Sequence, residues 1–84
     1  MDYRLLIDLE AIHVLDSLPK QVRTRLLDQF HKIRAFPGNY SEWHTRDAEG
    51  HRIEICIASS WAIHYWIDPA DRHVKILALK SADR

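Results

Sequence analysis

One cysteine, two glycines and three prolines occur in 84 residues, and twelve Lys and Arg are balanced by twelve Asp and Glu. The lone Cys56 excludes an intramolecular disulfide and any paired-cysteine metal site, which makes a reducing cytoplasm the expected compartment. So little glycine and proline, beside 46% hydrophobic and 29% charged residues, excludes fibrous repeats and disordered tails. A formal net charge of zero gives no whole-molecule attraction for nucleic acid or anionic membrane, so a polyanion must be held by a local patch. Six histidines can add positive charge to such a patch at mildly acidic pH. A long apolar run is also missing: the stretch after Arg4 is broken by Asp8 and Glu10, and neither a signal peptide nor a membrane span is expected. The length suits one small domain, 1–84, with its function on a single module.

What is present divides into a helical first half and an extended second half. Leu5, Ile7 and Leu9 alternate with Arg4 and Asp8 and predict a short first strand. Ile12 and Leu15 then take helical spacing within 10–16, with Asp8 as a cap. Ser17-Leu18-Pro19 reads as the start of a longer helix whose Val22, Leu26, Phe30 and Ile33 form an apolar stripe, ended by Phe36-Pro37-Gly38-Asn39. From Tyr40 the period falls to two. An extended piece over 42–46 leads into Asp47-Ala48-Glu49-Gly50, a type I turn with Gly50 left-handed that closes a bulged hairpin. Strands over 51–57, 61–68 and 73–80 follow, the last two joined by Pro69-Ala70-Asp71-Arg72. The order β-α-α-β-β-β, with a helical hairpin on one face of a small, mostly antiparallel sheet, is an α+β fold.

The open face of that sheet is where chemistry is expected. If Ala58-Ser59-Ser60 is a three-residue connection, Ile53, Ile55 and Ile57 meet Tyr65, Ile63 and Trp61 on the helix-covered side. Glu54 then lies across from His64, and Cys56 is on the open face without a neighbouring base. The preceding hairpin adds His44 beside Glu54 and Arg46 beside Arg52, giving the rows His44-Glu54-His64 and Arg46-Arg52-Trp66, with Lys75 opposite Trp66. A carboxylate between imidazoles suits acid–base catalysis, while arginines beside a tryptophan suit a phosphate and a stacked base. The expectation is 2′-hydroxyl activation and RNA cleavage, with Glu54 as base and His64 as acid. The alternative is a solvated sheet face with cross-strand ion pairs worth about 0.2–1 kcal/mol each. No HxxxH or HxH spacing points to a metal, and no cofactor is expected.

Leu18-Pro19-Lys20, Phe36-Pro37-Gly38, the hairpin from Arg46 to Arg52, the string from Trp61 to Asp68 and Val74-Lys75-Ile76-Leu77 together resemble the RelE/ParE superfamily of toxins. The resemblance spans nearly the whole chain. It implies a toxin of a bacterial type II toxin–antitoxin system, bound as a hetero-oligomer by a cognate antitoxin protein. RelE-like members cut mRNA on the ribosome, without metal, using basic and acid–base residues on the open sheet face; ParE-like members inhibit DNA gyrase. From the rows, Arg46 and Arg52 are expected to contact phosphate, Trp66 to stack and Lys75 to extend the basic row; under the resemblance, Arg52 fits a basic position of the family's nucleases and Arg84 matches a late arginine. The family's arginine after the aromatic that opens the fourth strand is Ala62 here. That departure favours the alternative of a non-catalytic gyrase inhibitor or a degenerate toxin that only binds its antitoxin.

Overall fold

The computed structural model describes residues 3–82. The elements run β1 (Arg4–Ile7), α1 (Leu9–Asp16), α2 (Lys20–Ala35), a short 3₁₀ turn (Pro37–Asn39), β2 (Trp43–Arg46), β3 (Arg52–Ala58), β4 (Trp61–Asp68) and β5 (His73–Ser81). This is the expected β-α-α-β-β-β order. The sheet order is β1-β5-β4-β3-β2, antiparallel except where β1 runs parallel to β5. No helix among the described residues is long and apolar enough to cross a membrane.

Both helices follow from local chemistry. Asp8 caps α1 by accepting the Leu9 backbone N–H. Leu9 is therefore the first helical residue and is 62% exposed, not a member of the strand as its alternation suggested. The hydroxyl of Ser17 donates to the Val14 carbonyl, so this residue closes α1 instead of opening α2. Pro19, which has no N–H to satisfy, stands at the start of α2. The stripe of α2 buries Leu26, Phe30 and Ile33 against Ile63, Tyr65, Val74 and Ile76, and all seven are fully enclosed. Tyr65 spans the layer: its hydroxyl donates to the Pro37 carbonyl at 3.1 Å and pins the turn after α2 to the sheet.

Two irregularities decide which side chains face the helices. Ser59 and Ser60 have φ of 50° and 66°, the signature of a two-residue hairpin turn that fits the strand twist. Ala58 therefore pairs with Trp61, Cys56 with Ile63 and Glu54 with Tyr65. The expected three-residue loop was one residue too long, and a slip of one reverses every side chain of β3. Cys56 is buried in the core, while Ile55 is half-buried and Ile57 is 44% exposed on the open side. In the second irregularity, His64 pairs with Ala78 but Tyr65 with Ile76, leaving Leu77 as an extra residue on β5. The bulge is why Ile76 and Leu79, three apart, both reach the core.

Asn-Gly adopts the left-handed turn with less strain than Ser-Ser. The double variant Ser59→Asn with Ser60→Gly is expected to gain about 0.5–1 kcal/mol, read as a higher urea midpoint at unchanged slope.

Candidate functional site on the open sheet face

The reversed parity of β3 divides the expected site between two faces. Glu54 and His64 do not meet: Glu54 pairs with Tyr65 and His64 with Ile55, so their side chains project to opposite sides. The rows His44-Glu54-His64 and Arg46-Arg52-Trp66 are therefore not formed across the sheet. Their first halves are, because Gly50 is left-handed at φ 86° and the hairpin pairs His44 with Glu54 and Arg46 with Arg52. Arg46 donates to the Gly50 carbonyl at 2.8 Å and remains exposed at the hairpin rim. Arg84 lies outside the described residues.

Glu54 is enclosed on the helix side, where its carboxylate accepts from Ser41 Oγ and from Arg52 Nε, each at 2.6 Å. Burial pushes the carboxyl upward, but the hydrogen bonds from Ser41 and Arg52, with the charges of Arg52 and His44, hold it below its ordinary value. A buried, paired and acidified carboxylate is a clasp between β3 and the segment before β2, not a free base on the open face. His64 does lie on the open side, where burial and the charge of Lys80 favour its neutral form.

The open face holds a cavity of about 200 Å³ lined by Asp47, His51, Ile53, Trp66, Lys75 and Leu77. Trp66 and Lys75 are cross-strand partners in β4 and β5, as the four-residue loop between these strands predicted. The rings of His51 and Trp66 are 6.4 Å apart, tilted at 51°. Ile53 is 7% exposed yet lies outside the helix-side core, because it is covered from the open side. The sequence pattern places Asp47 in the turn and His51 at the start of the next strand, with no site role for either; their Asp-x-x-x-His spacing across a tight turn was the available signal. Cation, aromatic, imidazole and carboxylate around one apolar floor can bind a phosphate with an attached ring.

Two groups have ligand atoms within 4.8 Å of one another, Asp47-Glu49-His51 and Asp68-Asp71-His73. In each, the turn explains the geometry without an ion. Asp47 Oδ1 accepts backbone N–H groups from Glu49 and His51, and Asp68 Oδ1 from Ala70 and Asp71.

No protein-family model and no curated protein matches the sequence. Solved structures do match, among them RelE proteins. The archaeal RelE–RelB complex from Pyrococcus horikoshii aligns over 100% of this chain and 99% of that one, with a TM-score of 0.84 and 23% identity. The RelBE2 toxin–antitoxin complex from Mycobacterium tuberculosis gives 0.79 at 19% identity, over 99% of this chain and 95% of that one. Free Escherichia coli RelE, carrying two arginine-to-alanine substitutions, gives 0.74 at 17% identity, over 99% and 86%. The chain has the RelE toxin fold along its full described length.

The two shifted groups give stability opposite controls. Glu54 is held below its reference of 4.5, so its contribution is complete above that pH and disappears as pH falls through the native value. His64 is held below 6.5, so the native state loses stability as pH drops under 6.5, until the native value is passed. Glu54→Gln is expected to cost about 1–3 kcal/mol at neutral pH and to flatten the acid limb below pH 4.5, measured by urea unfolding across pH. His64→Ala is expected to flatten the limb just below 6.5 and leave the acid limb in place.

Proposed function

We propose that the protein is the toxin of a type II toxin–antitoxin pair and acts in the cytoplasm as a ribosome-dependent mRNA interferase, restrained by a cognate antitoxin. The observation that carries this reading is the full-length match to RelE structures, two of them solved as RelE–RelB or RelBE complexes. The open-face cleft supports it chemically. Lys75 supplies a cation for a backbone phosphate, Trp66 a face for an unpaired base, and His64 lies further along the same strand and face. Arg46 and Arg52 do not share this face: Arg52 holds Glu54 on the helix side and Arg46 is its cross-strand partner, so neither belongs to the cleft.

A second reading rests on one specific feature. The resemblance calls for basic residues facing outward from β3, and the outward residues are Ile53, Ile55 and Ile57, with Trp43 beside Ile55 and Ala62 beside Ile57. An apolar strip of this kind suits docking on a protein such as gyrase better than binding a phosphate backbone. The solved neighbours carry the RelE name, and under the resemblance RelE-like members are the ones that act on the ribosome.

Purified chain added to a reconstituted translation reaction, followed by primer extension, separates the two. The expected result is cleavage only with ribosomes present, reduced about tenfold or more in Trp66→Ala and in Lys75→Glu. Intact message at high protein concentration, from a chain that still arrests growth, would establish the docking alternative.

A further inference from the structure

The cleft contains a carboxylate and an imidazole that the proposed RNA contacts leave unused. Asp47 follows β2 and His51 precedes β3, so the turn between these strands folds one residue onto the other. Asp47 grips His51 at two points: Oδ1 accepts its backbone N–H at 2.8 Å, and Oδ2 lies 3.1 Å from ring Nδ1. The backbone bond from His51 also draws the Asp47 carboxyl below its ordinary value, with smaller help from the ring, so the carboxylate is charged at neutral pH. A hydrogen bond to a charged carboxylate requires the proton on Nδ1, which leaves Nε2 of the neutral ring as an acceptor. The ring is 61% exposed and lines the cleft with Trp66 and Lys75, so a ligand held by those two side chains can reach Nε2. Among the described residues, no other imidazole is hydrogen-bonded to a carboxylate. Glu54 faces the far side of the sheet, and His64 has only the repelling charge of Lys80 nearby.

We propose that His51 is the general base of this cleft and that Asp47 positions it, an inference that rests on the RNA-cleavage reading. Nε2 takes the proton of a ribose 2′-hydroxyl, and O2′ bonds to the adjacent phosphorus. The bond from phosphorus to O5′ breaks, and the departing 5′-oxygen takes a proton from water. The products are a 2′,3′-cyclic phosphate and a 5′-hydroxyl, and the imidazolium returns its proton to solvent. Asp47 stabilises that imidazolium, Lys75 the charge gathering on phosphate, and Trp66 fixes the base. The substrate class is single-stranded RNA with one base unstacked, because Trp66 can stack only on a base splayed out of its helix.

The test compares cleavage rates of wild type, His51→Ala and Asp47→Asn in the reconstituted translation reaction, with far-UV circular dichroism and melting to verify folding. His51→Ala is expected to lose about 100-fold or more, and millimolar free imidazole to restore part of the rate. In Asp47→Asn the amide still accepts the backbone N–H through Oδ1 but donates to Nδ1, moving the ring proton to Nε2 and blocking proton uptake. It is expected to lose about tenfold or more with an unchanged melting temperature. A folded His51→Ala within about threefold of wild type overturns the assignment and leaves the RNA-cleavage reading intact. A loss that imidazole does not relieve, in a chain that melts like wild type, overturns it as well. Wild-type chain that leaves the message uncut removes the RNA-cleavage reading and this inference together.

Discussion

The left-handed pair Ser59-Ser60 fixes which half of β3 belongs to the interior, and the surface chemistry depends on it. A two-residue loop allows one register against β4, whose Trp61, Ile63 and Tyr65 are anchored by the helices. Cys56 is drawn into the core as a small apolar group, and Glu54 is drawn in two residues earlier. The isoleucines are left outside. Burying three branched chains would favour the other register, but that requires one more residue in the turn than the backbone uses.

Bringing a carboxylate under the helix layer has a desolvation cost, and the neighbouring segment offsets it. Ser41 and Arg52 supply two short donors. Glu42 adds a second fastening: its backbone N–H donates to the Ile55 carbonyl, and its side chain accepts the Ile57 N–H at 2.7 Å. The exposed four-residue strand β2 is thus held to the sheet by polar contacts at its start and by the Asp47 turn at its end. Positive charge is drawn inward to Glu54, while the open face keeps Lys75 and Lys80 on β5, with β4 and β3 lying between them and β2. Under the proposed function, that distribution lets a neutral chain present a local site for an anion.

Legibility of the sequence followed how strongly burial and turn chemistry agreed. They agreed for β4, where aromatic and aliphatic alternation gives Trp61–Asp68 as expected, and for α2, whose stripe of Leu26, Phe30 and Ile33 is the core. Gly50 and the Trp66–Lys75 pairing were legible because a left-handed glycine and a four-residue loop each allow little else. They disagreed for β3, where apolar alternation pointed one way and a serine pair pointed the other; serine is an uncommon choice at positive φ, so the turn hid its length. The bulge at Leu77 left no local signature, since its cause is the fit between β4 and β5. Glu54 and His64 were consequently matched across the wrong register, and the Asp47–His51 contact went unread because it joins a turn residue to the residue expected to open the next strand.

β1 meets the rest of the sheet only through β5, with Arg4 beside His73 and Ile7 beside Ile76. The first strand to leave a ribosome is thus the partner of the last, and their pairing cannot form until translation has passed Ile76. Long-range closure of this kind makes folding slow to nucleate and all-or-none. During vectorial synthesis the nascent chain carries an unfinished sheet, and a message cut short before β5 yields a fragment without a completed open face. Parallel closure therefore delays completion of the sheet until β5 has been made.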